Sequence, residues 1–297
     1  MKIQILSLRK ELIKMLGSFG IEAAVFESDY IIEHFAGFTK LQMLTERSLA
    51  VSEDVYDKII KAASERSNGK PLQHIIGHAE FMGLKFKVNE NVLIPRPDTE
   101  ILVQEAIVCS NKISELKNKN YTVKILDMCT GSGCIAISLK HYLPEADIHA
   151  SDISEKALDT ARENAINSNE TSYDISFYCG NYFEPFTSNN SDNADLKFDI
   201  IVSNPPYIPT GDIEELEDEV KLHDPFLALD GGKDGFTAYR EIISKAPLYI
   251  NKGGCLLLEA GINQAKDIAD LMKNNFCDIK IIRDYGGIER VVYGKLN

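Results

Sequence analysis

The sequence predicts an α/β fold: seven strands in a mostly parallel sheet with an antiparallel last strand, preceded by a small helical domain and a β-hairpin linker. Three observations carry this. From Val123 onward short apolar runs alternate with helical patterns, the arrangement that covers a parallel sheet with helices on both faces. Up to about Lys70 the apolar residues recur only at helical spacing. Between the two regions, extended apolar runs flank a turn signal. With 297 residues, 44% of them apolar, the chain is long enough for a full core and a smaller second unit. The expected divisions are 1–72 for the helical domain, 73–97 for the linker and 98–297 for the α/β domain.

In the first region Leu8, Leu12, Ile13, Met15 and Leu16 define one amphipathic helix from Ser7 to Phe19, stopped by Gly20. Ala23, Phe26, Tyr30, Ile31 and Phe35 define a second, closed by Gly37, and a shorter piece follows around Lys40 to Leu44. Ser52 is placed to cap a further helix carrying Val55, Ile59, Ile60 and Ala63, ending at Asn68-Gly69. The linker is expected to pair Phe81 to Val88 with Val92 to Ile94 across an Asn89-Glu90-Asn91 turn. Pro95-Arg96-Pro97 then fixes two φ angles and keeps the chain extended. Asp98 or Thr99 can cap a helix running from Glu100 to about Cys109.

In the α/β region the predicted strands are Val123 to Met128, Ile148 to Ser151, Ile175 to Cys179, Phe198 to Ser203, Cys255 to Glu259, Ile279 to Asp284 and Arg290 to Tyr293. The intervening helices begin near Gly133, Ser154, Gly235 and Ile262. Only Tyr285-Gly286-Gly287-Ile288 separates the last two strands, which makes them an antiparallel pair. Thr187 to Asp195 reads as a polar loop before the fourth strand.

Composition excludes several classes. The longest apolar stretches, such as Cys255-Leu256-Leu257-Leu258, fall far short of the roughly 18 to 20 residues of a membrane span. The first ten residues put charges on both sides of a very short apolar patch and show no small-residue cleavage site, so no signal peptide is expected. Six cysteines (Cys109, Cys129, Cys134, Cys179, Cys255, Cys277) lie far apart without a Cys-x-x-Cys pair. They read as buried apolar residues of a cytoplasmic, reduced protein, and neither they nor the six histidines show metal spacing. The net charge of −13 falls entirely beyond residue 75, since the first 75 residues hold ten basic and ten acidic side chains. A broad duplex-binding surface needs the opposite sign. Glu214, Glu215, Glu217, Asp218 and Glu219 form an acidic run that reads either as a solvated helix face or as a contact for a basic protein partner.

Ile125 to Met128 runs through Cys129-Thr130-Gly131-Ser132-Gly133 into an apolar helix. Such a glycine turn lets backbone approach a ligand and offers free N–H groups at the helix start. Asp152 follows Gly131 by 21 residues at the end of the next strand, where a carboxylate can accept both hydroxyls of a ribose. A dinucleotide site stays open on this motif alone, because Ala136 can stand for the third glycine. The spacing Asp127-x-x-x-Gly131-x-Gly133 resembles instead the first motif of S-adenosylmethionine-dependent methyltransferases.

Asn204-Pro205-Pro206-Tyr207 lies at the C-terminal end of the fourth strand, the edge where open α/β sheets bind ligands. The prolines remove two N–H donors and leave their carbonyls as acceptors on a stiff segment, while Asn204 adds a side-chain oxygen. Two acceptors suit a planar NH₂ group, and Tyr207 offers a flat face to it. An amide nitrogen is a poor nucleophile, so positioning and electrostatics replace a strong base.

Asn-Pro-Pro-Tyr with the glycine loop resembles methyltransferases acting on NH₂ groups of adenine, guanine or glutamine. Six further stretches choose among these: Pro71 to Gly77, Glu80 to Gly83, Val92 to Glu100, Ser203 to Ile208, Leu229 to Gly235, and Tyr239-Arg240. From about residue 71 to the end they resemble the peptide-chain release factor glutamine methyltransferases (the PrmC or HemK family), whose catalytic domain is Rossmann-like. The first 70 residues match only in being helical. The resemblance implies S-adenosyl-L-methionine as cofactor and, as protein substrate, the glutamine of the Gly-Gly-Gln motif in class I release factors. The helical domain then helps dock that partner. It implies cofactor contacts from Asp127, Cys129, Thr130, Gly131, Ser132, Gly133, Asp152, Tyr182 and Asn204. Asn204, Pro205, Pro206 and Tyr207 are implied to hold the glutamine amide, with Asn204, Pro205 and Tyr207 as the catalytic set. No metal, nucleic acid or membrane partner is implied, and the chain is expected to be a monomer.

The sequence departs from the family pattern in five places. Cys129 stands for glycine, Asn181 for aspartate, and His74, Met82 and Asp98 for tyrosine, an aromatic residue and glutamate. Arg96 is expected to form a structural ion pair. Two alternatives remain beside this reading: an amino methyltransferase acting on nucleic acid, and a methyltransferase fold kept as a silent scaffold.

Overall fold

The computed structural model describes residues 2–117, 121–167, 173–187 and 196–297; most of the polar stretch read from Thr187 to Asp195 lies outside them. The chain divides into two compact units, Met1–Gly77 with Glu217–His223, and His78–Leu216 with Asp224–Asn297.

The first unit contains α1 (Ile5–Ser18), α2 (Ala24–Ala36), α3 (Lys40–Thr45), α4 (Glu53–Ser67) and α5 (Leu72–Ile76). Leu8, Leu12 and Leu16 of α1, with Ile31 and Ile32 of α2 and Ile59 and Ala63 of α4, form its buried core. Each fully buried Leu or Ile contributes about 1.5–3 kcal/mol. The caps follow the sequence. The Thr39 hydroxyl accepts from the Gln42 N–H and the Gln42 side chain accepts from the Thr39 N–H, a reciprocal capping box. Ser52 accepts from the Val55 N–H, and Gly37, at φ 72°, closes α2. Sequence periodicity missed a two-residue antiparallel pair, β1 (Ile3–Gln4) with β2 (Ala50–Val51), too short to carry an alternation signal. Within this unit Arg66 holds Glu27 through two hydrogen bonds of 2.6 and 3.1 Å and reaches Glu219 at 2.8 Å.

The second unit opens with a hairpin, β3 (His78–Phe81) and β4 (Leu84–Lys87), whose turn is Met82-Gly83. This corrects the expected turn at Asn89-Glu90-Asn91 and the expected strand at Val92 to Ile94. Met82 and Gly83 have φ 51° and 72°, the two left-handed residues of a tight hairpin turn. An apolar Met gives no sign of that conformation. Asn89 instead forms a local turn, accepting from the Asn91 N–H at 2.9 Å, and donates to Thr160 Oγ1 at 3.0 Å.

The sheet comprises β5 (Lys124–Met128), β6 (Asp147–Asp152), β7 (Ser176–Cys179), β8 (Phe198–Ser203), β9 (Ile250–Glu259), β10 (Phe276–Arg283) and β11 (Glu289–Leu296), in the order β10-β11-β9-β8-β5-β6-β7. β11 lies antiparallel between β9 and β10, and the other neighbouring pairs are parallel. Alternation sorts the side chains onto two faces. Ile125, Ile200, Val202, Leu257 and Val291 pack with α6 (Glu100–Lys117) and α7 (Cys134–Tyr142). Leu126, Ile201, Leu256, Leu258 and Val292 pack with α11 (Thr237–Tyr249) and α12 (Ala265–Met272). α8 (Glu155–Asn167) follows β6, and the short α9 (Asp218–Lys221) and α10 (Phe226–Leu229) precede α11. The helix expected to end near Cys109 continues to Lys117.

From β5 the chain moves one way to β6 and β7, then returns to the other side of β5 at β8. The crevice at the carboxyl ends of β5 and β8 is therefore the switch point where α/β sheets bind ligands. The cysteines divide: Cys109, Cys134 and Cys255 are buried, Cys129 is half-buried, and Cys179 and Cys277 are exposed, contrary to the expectation that all six fill the core. Both exposed thiols sit on outer strands with fewer neighbours to cover them. Among the described residues no helix is long and apolar enough to cross a membrane.

Candidate active site

A cavity opens at this switch point. Its walls come from the segment 90–96, Thr99, the loop after β5, the ends of β6 and β7, Asn204 and Pro206 after β8, and the segment 225–230.

The glycine loop is built from beneath. Asp127, on β5, is completely buried, and its Oδ2 accepts from Thr130 Oγ1 at 2.6 Å and from the Ala136 N–H at 3.1 Å. It thus joins the loop to the first turn of α7. Burial pushes its carboxyl pKa up to about 7. Gly131 and Gly133 have φ 55° and 80°, which glycine alone adopts at little cost. A Cβ on Gly133 would lie 3.1 Å from Ala161 and Ile137, so this glycine also lets α7 and α8 approach. Cys129 has φ 61°. That explains why glycine suits the position, and it places a half-buried thiol, its pKa raised by desolvation, at the cavity wall.

Asp152 ends β6 and holds the loop from the side. Its Oδ2 accepts from the Gly131 N–H at 2.9 Å and its Oδ1 from the Ser154 N–H at 2.9 Å. Desolvation raises its pKa, and these backbone donors pull it back. Tyr182, at φ 49°, closes the same side of the cavity after β7, and burial raises its hydroxyl to about 12.

β8 is buried at all six positions, and Ser203 Oγ donates to the Met128 carbonyl at 2.7 Å, which fixes its end against β5. Asn204 emerges next, and its Nδ2 donates to Thr99 Oγ1 at 3.3 Å. The carbonyl of Tyr207 accepts from Gln264 Nε2 at 3.0 Å. A Cβ on Gly231 would come within 2.8 Å of the Tyr207 backbone, and one on Gly261 within 2.9 Å of its ring. The Leu229 to Gly235 motif therefore serves close packing around Tyr207. Arg96 pairs with the buried Asp224 at 2.8 Å, the structural ion pair expected of it.

Of the residues singled out from sequence, Cys129, Thr130, Gly131, Ser132, Asp152, Tyr182, Asn204 and Pro206 line this one cavity. Asp127 and Gly133 lie under it as supports. Pro205 is buried, and Tyr207 packs against the apolar cluster of Leu258 and Tyr239 and is not among the residues that line the cavity. The acidic run is not one solvated face: Thr210–Glu215 forms a 3₁₀ turn, and Glu219 is taken by Arg66. Sequence reasoning missed Glu259. It ends β9 almost fully buried, at 2% exposure, beside Asn204 and Thr99, and burial pushes its pKa up to about 7. The only sequence signal was a carboxylate closing an otherwise apolar strand.

Sheet order, loop and cavity define the class as a methyltransferase, and the comparisons agree. Residues 111–220 match the family described as Methyltransferase small domain, and residues 7–77 match the PrmC N-terminal domain. The chain is 36% identical to the release factor glutamine methyltransferase of Geobacter sulfurreducens, over 95% of this chain and 93% of that protein. It is 39% identical to that of Thermodesulfovibrio yellowstonii, over 90% of each. It belongs to the release factor glutamine methyltransferase family. The fold is also that of the hMettl16 catalytic domain solved with a MAT2A 3′UTR hairpin, with TM-score 0.53 and 12% identity over 83% of this chain and 82% of that one. A methyltransferase from Pyrococcus furiosus gives TM-score 0.51 and 15% identity over 82% and 98%.

Proposed function

We propose that this protein transfers a methyl group from S-adenosyl-L-methionine to the side-chain amide nitrogen of the glutamine in the Gly-Gly-Gln motif of class I peptide chain release factors. The observation that carries the reading is that Asn204 and the glycine loop with Asp152 face one cavity in a chain of this family. The cavity suits the cofactor chemically. The carboxylate oxygens of Asp152 each keep a lone pair for ribose hydroxyls after accepting one N–H. Met128, Ile135, Ile153, Tyr182 and Leu227 supply apolar walls. Cys129 to Ser132 are the proposed contacts for the methionine portion, and Tyr182 the proposed contact toward the adenine.

When bound, the cofactor supplies an electrophilic sulfonium methyl. The protein's part is to hold the acceptor nitrogen in line with it. Asn204 Oδ1 can accept one amide N–H. A carbonyl of the Pro205-Pro206 pair is the proposed acceptor for the other, and Pro206 lines the cavity. Both contacts raise electron density on nitrogen and fix its approach. Pro205 and Pro206 keep the segment stiff, and Tyr207 anchors it through Gln264 and the close-packed glycines. The acidic character beyond residue 75 suits a basic protein partner, and the helical unit is the proposed docking element.

The deciding experiment is mass spectrometry of a class I release factor after incubation with the protein and S-adenosyl-L-methionine, beside a Gln→Ala version of its Gly-Gly-Gln loop. A gain of about 14 Da, one CH₂, on that glutamine and absent from the variant is expected. No gain with cofactor binding intact would overturn the substrate and direct the search to nucleic acid; no cofactor binding would leave a scaffold.

A further inference from the structure

Glu259 and Asn204 are neighbours by register. Ser203 pairs with Leu258 in the parallel β8–β9 ladder, so the next step along both strands sets Asn204 beside Glu259. Three groups meet there. Asn204 Nδ2 donates to Thr99 Oγ1 at 3.3 Å, and the Thr99 hydroxyl and the Asn204 amide both lie within hydrogen-bonding reach of the Glu259 carboxyl. Glu259 Oε2 is buried without a hydrogen-bond partner among the described residues. Glu259 does not line the cavity, whereas Asn204 and Thr99 do.

We infer that Glu259, acting with Thr99, is the positioning residue of this site: it decides which end of the Asn204 carboxamide faces the cavity. The inference rests on the reading of Asn204 as acceptor for the substrate amide. A carboxamide carries a donor end and an acceptor end of nearly equal size, so sterics alone do not choose between them. An ionised carboxylate only accepts. It accepts a hydrogen bond from the Thr99 hydroxyl, leaves the lone pairs of Thr99 Oγ1 for Asn204 Nδ2, and draws both donors of the amide into the protein. Oδ1 is then left at the cavity, where an NH₂ group needs it. A protonated carboxyl reverses the chain. It donates to Thr99 Oγ1, the hydroxyl proton turns to Asn204, and the amide presents its own NH₂ to the substrate's NH₂.

The surroundings put this switch in the neutral range. Burial holds Glu259 up to about 7, with the nearby Asp98 carboxylate pushing in the same sense. Arg290 on β11, itself tied to Asp98 at 3.0 Å and Asp284 at 3.3 Å, pulls it down, as do the Thr99 and Asn204 hydrogen bonds. Burial raises the pKa of Tyr207, of Tyr239 on α11 and of Cys134 on α7, and the Glu259 charge pushes each in the same sense.

The first test needs no substrate. In the full-length protein, the ¹⁵N–¹H resonances of the Asn204 side chain should titrate with a midpoint near the Glu259 pKa of about 7, and should stop doing so in Glu259→Gln. The second uses the release factor. Wild-type kcat should rise with pH over the same range. In Glu259→Gln it should be flat and lower by on the order of 100-fold, while cofactor Kd and release-factor KM stay within about threefold. Thr99→Val, which keeps shape and removes the hydroxyl, should behave alike, and Thr99→Ser should recover most of the loss. An Asn204 side chain that does not titrate, or an active wild type matched in kcat and pH profile by Glu259→Gln and Thr99→Val, overturns the inference. Should Glu259→Gln fail to fold, the Thr99→Val and Thr99→Ser pair decides it alone. Titrating Asn204 resonances in a wild type that leaves the release factor unmethylated would sink the substrate reading and still support Glu259 as the group that orients Asn204.

Discussion

The backbone N–H of Gly131 donates to Asp152 Oδ2 at 2.9 Å. Gly131 lies in the loop after β5 and Asp152 ends the adjacent parallel strand β6, so the carboxylate proposed to receive a ribose also fixes the loop proposed to hold the methionine. Its other oxygen accepts from Ser154. Asp152→Asn leaves one acceptor oxygen for two N–H donors and turns an NH₂ against the second. A hydrogen bond to a charged group is worth about 1.5–3 kcal/mol, so S-adenosyl-L-methionine affinity should fall by on the order of 10–100-fold in calorimetric titration. Unaltered affinity would remove Asp152 from the cofactor site.

Cys129 holds a left-handed conformation that costs a side chain roughly 1–2 kcal/mol. Glycine relieves this and gives back about 0.5–1 kcal/mol in unfolded-chain entropy. Cys129→Gly should therefore be neutral or stabilising by up to about 1 kcal/mol in denaturant unfolding. Cys129→Val, β-branched at the same φ, should destabilise clearly. Equal loss in both variants would mean that packing of the thiol, not backbone strain, governs the position.

Much of this architecture was legible because its signals are local. Short apolar runs located all seven strands and period-3.6 patterns the main helices, and the Gly131–Asp152 spacing pointed to two segments that line one cavity. Signals failed where conformation is set from outside the segment. Met82 takes φ 51° because the hairpin needs a turn there, and nothing in an apolar Met-Gly announces it. Asn89-Glu90-Asn91 carries turn chemistry but spends it on an internal turn and on Thr160 of α8. Glu259 and Thr99 stood 160 positions apart, near motifs already read for other reasons; the β8–β9 register brings Glu259 to Asn204, and the turn before α6 brings Thr99. Tyr207 was legible as part of a motif and not as a packed side chain, since Gly231 and Gly261 approach it through tertiary structure alone.

Asn204, which donates to Thr99 Oγ1, is proposed to hold the acceptor amide. Asn204→Ala should therefore abolish methyl transfer while leaving cofactor affinity within a few-fold. Paired rate and binding measurements separate the two, and a large loss of cofactor binding would contradict the assigned role.

In the helical unit Arg66 grips Glu27, 8% exposed, with two hydrogen bonds and Glu219 with a third. Removing the guanidinium strands a buried carboxylate, at a cost of about 3–5 kcal/mol, whereas replacing both partners by apolar groups of similar volume is often neutral. Arg66→Ala should lower stability by that order, and Arg66→Met with Glu27→Leu should recover most of it. If the double variant is as unstable as the single, the ion pair itself, and not the stranded charge, carries the energy.

Asp127 and Glu259 set the pH dependence of stability. Burial raises both to about 7, from ordinary values of 3.8 and 4.5. Between those limits the folded protein holds protons that the unfolded chain has released, so stability falls as pH rises. The contribution is whole below about pH 4 and lost as pH passes through 7, on the order of 3–4 kcal/mol for each carboxyl. Asp234, lowered to about 2 by its Arg240 partner, acts in the opposite sense and only at more acidic pH. Melting temperature should accordingly be higher at about pH 5 than at about pH 8 in the same salt. Asp127→Asn should shrink the difference, because its one oxygen still accepts from Thr130 and Ala136 while no proton is exchanged. An undiminished slope in that variant would show that Asp127 ionises freely in the folded protein, and that the glycine loop rests on a charged carboxylate at neutral pH.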